Sequence, residues 1–215
     1  GLNMNRHCWA LSGRGDLPRA LAARGHDVFV AEYRGTDSSR APEGTGRWSY
    51  GVDDHVERDL PAIIDGVCRL SGARQVNWIG HSMGGMVIYL YASRFGSEKL
   101  RRVVTLGSPV RFALPAGPIS WLGPVAKGFL RLRSRVRLRF FCWITLPFSG
   151  PLGGIFLRQF QNLRHLNSSE RVALCTTAAE DVAASIHHFF LSMALGRQHL
   201  CPAPSEQVDG VDIGG

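Results

Sequence analysis

The stretch of this chain best suited to chemistry is Gly80-His81-Ser82-Met83-Gly84, a serine set between two glycines. A serine hydroxyl becomes a nucleophile when a base takes its proton and fixed N–H groups receive the charge that builds up on the attacked carbonyl oxygen. The spacing alone is weak, because a chain with 25 glycines gives on the order of 0.2 such matches by chance. Position strengthens it. The apolar run Gln75 to Ile79 reads as a strand, and Gly84 to Phe95 reads as a helix closed by Gly96. The serine therefore falls at a strand-to-helix junction, where a strained turn lifts the hydroxyl clear of the backbone. Gly80 and Gly84 are expected to be glycine because side chains there would collide with the strand and helix that the turn forces together. The helix N-terminus at Met83 is expected to aim N–H groups at developing negative charge. His81 is adjacent to the serine on the same tight turn, so its ring is expected to point away from the hydroxyl and to be structural.

Elements on both sides must hold this turn. Leu17 to Arg24 reads as a helix ending at Gly25, and Asp27 to Tyr33 as a buried strand closed by Arg34-Gly35. From Asp53, the residues Val56, Leu60, Ile63, Ile64, Val67 and Leu70 recur at helical spacing. Asp53 and Asp54 suit that helix's N-terminus, and Pro61 should start or kink it. Leu100 to Leu106 reads as a third strand before Gly107-Ser108-Pro109. Helix and strand alternate, which predicts the α/β class, a mostly parallel sheet with helices on both faces, because parallel neighbours need a crossover that covers the sheet.

The 215 residues, 45% hydrophobic and 20% charged, are enough for one globular domain of ordinary core size and exclude an intrinsically disordered chain. A net charge of +8 suits nucleic acid, anionic lipid or acidic substrates, so the placement of the arginines has to discriminate among them. Arg131, Arg133, Arg135, Arg137 and Arg139 alternate with apolar or small residues, ahead of an uncharged run from Phe140 to Leu157. Pro147 and Pro151 break that run, which favours an apolar lid or an element dipping into a lipid interface over a spanning helix. A strand with one charged face, or a solvated surface, is the plainer alternative. Nucleic acid is not expected as a partner, since no stacking aromatics or nucleic-acid motif accompany the arginines. Cys8, Cys68, Cys142, Cys175 and Cys201 are scattered and odd in number, which argues against a disulfide scaffold or a zinc site. Asn167 with Glu170 reads as a capping arrangement for a helix through Val182, and Arg14-Gly15-Asp16 as a coincidence at a loop-to-helix boundary. Localisation is not determined, with a cytoplasmic or membrane-associated site the weak expectation.

The Gly80-to-Gly84 turn, with Asp59-Leu60-Pro61-Ala62-Ile63-Ile64-Asp65 ahead of it, resembles the alpha/beta-hydrolase superfamily of serine esterases and lipases. The latter segment is similar to that of acid lipases, and the resemblance covers roughly residues 1 to 110. Gly1-Leu2 resembles the tail of the family's His-Gly-x oxyanion loop, which implies that the N–H groups of Leu2 and Met83 form an oxyanion hole. The resemblance also implies that the strand matching Asp27 to Tyr33 lies between two strands that would precede Gly1. It implies a triad in the order serine, acid, histidine, with the last two on loops after later strands. Asp181, Asp209 and Asp212, with His165, His187, His188 and His199, are the available acids and bases, and none follows a convincing strand-loop pattern. The acid and base are therefore expected beyond the ends of this chain, with Val208 to Gly215 resembling the approach to the acid-bearing strand. On this reading 1–112 form a partial hydrolase core, 113–200 a largely helical lid or cap, and 201–215 a tail toward further core strands. The implied activity is hydrolysis of carboxylic esters, lipid-like or apolar, through Ser82 and without a metal or organic cofactor. Polymer synthases of the same superfamily are disfavoured because they carry cysteine where this chain has Ser82. Thioesterase and peptidase chemistry stay open, because fold does not fix function. The competing reading is a non-catalytic fragment, or an interaction module that keeps the turn as architecture.

Overall fold

The computed structural model describes residues 1–10, 16–37, 39–110, 118–145 and 168–195. Expectations placed on Arg14, Gly15, His165, Asn167, His199, Asp209, Asp212 and the 201–215 tail lie outside these residues, as does most of the uncharged run after Thr145.

Helix α1 spans Leu17–Ala22, capped by Asp16, whose carboxylate accepts the Arg19 N–H at 2.9 Å. The predicted helix from Asp53 forms in three parts: α2 (Val52–Asp54), a π-helical turn (His55–Asp59), and α3 (Leu60–Ser71). Pro61 lies in the first turn of α3, where its missing N–H costs least. Next come β1 (Val76–His81), α4 (Met83–Phe95) and β2 (Leu100–Leu106), a parallel strand-helix-strand unit. Its register sets Trp78 against Val103 and His81 against Leu106. The later elements are α5 (Pro118–Arg131), β3 (Arg135–Val136), α6 (Leu138–Thr145), α7 (Ser168–Ala173), β4 (Val182–Ala183) and α8 (Ala184–Ala194). A second π-helical turn, Leu174–Ala178, extends α7, and β3 pairs antiparallel with β4. One apolar core joins these layers. Val56 and Leu60 meet Val87 and Ile88 of α4, Val76 and Leu100 of the sheet, and Ile186 of α8. No disulfide joins Cys8, Cys68, Cys142 and Cys175.

Four sequence expectations differ from this architecture. Asp27 to Tyr33 is not a strand: it has no ladder partner among the described residues, and it lines, together with β1, a cavity of about 620 Å³. A strand needs a neighbour within about 4.8 Å to satisfy its N–H and C=O groups, so apolar composition alone cannot produce one here. Leu70 is 77% exposed rather than part of the core face. The helix expected to run through Val182 ends at Ala178, where Ala179 turns extended and bridges to Met4. The alternating arginines likewise belong to no single strand, since they cross the end of α5, β3 and the start of α6.

A largely buried charged network escaped the sequence reading. Asp59 accepts Arg34 Nε at 2.8 Å and the Arg34 backbone N–H at 3.2 Å, and its other contact is His55 Nδ1 at 2.8 Å. Arg34 and Asp59 have side chains only 11% and 12% exposed, and His55 packs against the rings of Tyr33 and Tyr50 at 4.7 and 5.4 Å. Burial by itself raises the Asp59 carboxyl, but the hydrogen bonds from His55 and Arg34 outweigh it and hold the group below its ordinary value of 3.8. A carboxyl depressed in the folded state contributes its full stability above the unfolded value and loses it as pH falls through the folded value. Asp59→Asn should therefore cost about 3 kcal/mol near neutral pH, and much less in acid below the ordinary carboxylate range. Urea melts of the two proteins at both pH values measure this directly. A constant difference would contradict the linkage.

Candidate active site

Ser82 has φ +50° and ψ −116°, a backbone conformation that side-chain-bearing residues rarely adopt. Holding a residue there costs of order 1–3 kcal/mol, so the surroundings must impose it. Three contacts do so. The Ser82 N–H donates to Leu106 O at 2.8 Å, carrying the β1 to β2 ladder into the turn. The Ser82 carbonyl accepts the N–H groups of Gly85 and Met86 at 3.0 and 3.2 Å, which starts α4 without an intervening loop. Trp78 Nε1 donates to Gly84 O at 3.0 Å, tying strand to helix across the serine. With Gly85 and Met86 committed to the Ser82 carbonyl, the first-turn N–H groups not used in this way are those of Met83 and Gly84.

The glycines divide differently from the expectation. A Cβ on Gly80 would stand 2.5 Å from the Gly84 carbonyl carbon and oxygen and 2.6 Å from Gly85 N, so strand and helix can approach only if residue 80 has no side chain. At Gly84 a Cβ would meet nothing within 4 Å. The second close approach belongs to Gly85, where a Cβ would collide with the Ser108 side chain and stand 2.9 Å from Thr105 Cγ2. A glycine pair continuing beyond the motif was the available signal. The steric role assigned to Gly84 passes to Gly85, because the helix turns residue 84 away from β2.

Gly1 packs against the imidazole of His81, where a Cβ would come within 2.9 Å of Nδ1. The chain segment carrying Leu2 is thus brought to the residue immediately before Ser82, and Leu2 packs on the main core. Gly1, His81 and Met83 line the same 620 Å³ cavity as the 27–33 segment and β1. No hydrogen bond joins the Ser82 hydroxyl to a histidine among the described residues. Asp181 is occupied by Arg135, at 3.4 Å, and by the Arg139 backbone N–H, at 3.2 Å. His187 instead reaches Asn3, with Nε2 2.7 Å from Oδ1, and His188 Nε2 lies 3.3 Å from Arg131 Nε. The structure therefore does not bring Asp181 to His187 or His188 as an acid and base pair. Among the described residues there is no group of three His, Cys, Asp or Glu placed to hold a metal ion.

The sequence profile of the alpha/beta hydrolase fold matches residues 1–150, and the chain belongs to that family. Residues of this chain are also similar to curated lipases. Triacylglycerol lipase 2 of Arabidopsis thaliana is 32% identical over 102 residues, 45% of this chain and 24% of that protein. Gastric triacylglycerol lipase of Mus musculus is 25% identical over 119 residues, covering 52% and 30% of the two chains. Lipase member N of Homo sapiens is 27% identical over 110 residues, covering 48% and 28%. The matched region thus spans between 24% and 30% of the length of these relatives.

The glycine geometry has a measurable consequence. Gly80→Ala should destabilise the protein by about 3 kcal/mol, since the obstructing atoms are backbone. Gly84→Ala should be neutral or stabilising by up to about 1 kcal/mol, as alanine is a better helix residue than glycine. Chemical denaturation of both variants checks the ordering; a larger loss at Gly84 would contradict it.

Proposed function

We propose that the protein is a serine hydrolase that transfers the acyl group of a carboxylic ester to water, with Ser82 as nucleophile and a lipid-like or otherwise apolar ester as substrate. The observation that carries the reading is the strained backbone of Ser82 between a parallel strand and a helix N-terminus, because a turn needs no such strain unless it must present its side chain. Ser82 Oγ adds to the ester carbonyl carbon while its proton passes to a histidine, and the carbonyl oxygen takes the negative charge. The Met83 N–H, at the start of α4, and the Leu2 N–H, on the segment packed beside His81, receive that charge. The tetrahedral intermediate then expels the alcohol, which takes the proton back, and water repeats the sequence on the acyl-enzyme. The similarity to lipases supports the preference for lipid-like esters.

Residues 113–200 serve on this reading as a lid that also meets the lipid surface. Val125, Phe129, Leu132 and Phe140 are 70%, 55%, 85% and 54% exposed. Arg133 lies over the Phe129 ring at 4.7 Å and Arg137 over Phe140 at 5.4 Å, so exposed apolar groups and cations are interleaved. The five arginines are not equivalent. Arg135 and Arg139 face Asp181 and Glu180, which leaves Arg131, Arg133 and Arg137 as the better anchors for anionic headgroups. No helix among the described residues is long and apolar enough to cross a membrane.

Two measurements test these assignments in the full-length protein. A fluorophosphonate should label it covalently, and Ser82→Ala should abolish labelling; labelling that survives the substitution would sink the nucleophile assignment. Replacing Arg131, Arg133 and Arg137 with glutamine should weaken binding to phosphatidylserine vesicles on the order of a hundredfold, at about 1 kcal/mol per residue. Replacing Arg135 and Arg139 should do less. Equal effects, or none, would remove the lipid-surface role.

A further inference from the structure

Asn3 is held by contacts from residues more than 170 positions away, and it is held in a strained state. Its φ is +58°, it is 6% exposed, and its own carbonyl accepts the Glu180 N–H at 2.8 Å. The side-chain amide is fixed at both ends: Nδ2 donates to Glu180 O at 3.0 Å, and Oδ1 faces His187 Nε2 at 2.7 Å. Because Nδ2 is committed to a carbonyl, Oδ1 is the atom turned to the imidazole, and Nε2 of His187 must carry the proton. Burial lowers this imidazole from its ordinary value against the opposing contact of Nδ1 with Ala183 O at 3.5 Å, and the single proton of the neutral ring serves the nearer acceptor, Asn3 Oδ1. Asn5, two residues on and in an extended conformation, adds further bonds to the same segment: its N–H donates to Ala178 O at 2.9 Å, while Nδ2 serves Thr177 O at 2.8 Å and Glu180 Oε1 at 3.0 Å. Met4 closes the loop by donating to Gly1 O at 3.2 Å.

Its left-handed backbone, which asparagine tolerates, is held by these bonds. Asn3 lies two residues from Gly1, which packs against His81, next to Ser82. We propose that His187 and Asn3 are positioning residues, with the His187 Nε2–H holding Asn3 Oδ1 so that the Leu2 N–H is fixed as an oxyanion donor. The proposal rests on the assignment of Ser82 and Leu2 made above. His187 is thereby neither the general base nor a bystander. It acts through Asn3 on the geometry of the charge-accepting group, and a misplacement of that group by about 1 Å costs on the order of a hundredfold in rate.

The test uses the full-length enzyme and a chromogenic short-chain ester. His187→Leu, which removes the donor, should lower kcat between about tenfold and a hundredfold with KM within about twofold, since the lost interaction belongs to the transition state. His187→Gln, which can set an N–H near the position of Nε2, should recover most of that loss. Asn3→Gly, which keeps the left-handed backbone but removes both side-chain bonds, should lower kcat like the leucine variant and guards against a leucine variant that fails to fold. A wild-type kcat in the leucine or glycine variant, with Ser82→Ala still inactive, overturns the clamp alone. Equal impairment of the glutamine and leucine variants does the same, because a merely structural role would not distinguish them. Turnover that survives Ser82→Ala overturns the nucleophile assignment and the clamp with it.

Discussion

The structure depends on one constraint: a parallel strand must become a helix within a single residue, and that residue is not glycine. The turn at Ser82 costs about as much as one good hydrogen bond contributes several times over, so it survives only because its neighbours leave no alternative. β2 supplies the Leu106 carbonyl that holds the Ser82 N–H, and Gly80 lets α4 come down onto β1. Gly85 lets the same helix approach Thr105 and Ser108 on the other strand. Remove the ladder between β1 and β2, and one of the three contacts that hold residue 82 in its strained conformation is lost. The two-strand unit is thus the frame of the site as well as of the core.

Two polar assemblies carry the frame's other connections. Arg34, Asp59 and His55 lock the loop after residue 33 to the helical stretch before Pro61. Asn3 and Asn5 lock the first residues of the chain to the 177–180 segment and to α8. Both are buried, and each satisfies its members by more than one bond, which is what makes a buried polar group tolerable. They differ in chemistry. The first is built on the Arg34–Asp59 ion pair. The second joins two amides and an imidazole to the backbone and to the Glu180 carboxylate.

Much of this was legible in the sequence where the signal is local. Apolar runs and the glycines after Phe95 and Leu106 located α4 to within a residue and β2 at its observed bounds, and β1 to within two residues. Asp53 and Asp54 marked the start of the next helix for the same kind of reason. What could not be read depends on distant partners. Asp27 to Tyr33 has the composition of a strand, but strand formation is decided by a neighbour, and none pairs with it. The bonds from Asn3 and Asn5 join residues 172 to 184 positions apart, beyond any sequence period. Asp59 attracted attention only through the Asp-Leu-Pro resemblance, while its physical role follows from His55 four residues earlier and Arg34 across the core. Gly84 was preferred to Gly85 because the motif ends there, whereas the helix phase makes residue 85 the one that faces β2.

The strain at Ser82 serves nucleophilic attack only if this serine is acylated during turnover. An acid quench of the full-length protein within the first turnovers on an activated ester, followed by peptide mass spectrometry to locate the acyl group, tests this. Acylation is expected on the peptide containing Ser82, on that hydroxyl, formed faster than it is hydrolysed. An acyl group found on another residue, or ester turnover with no acyl-enzyme and an unmodified Ser82, would contradict it.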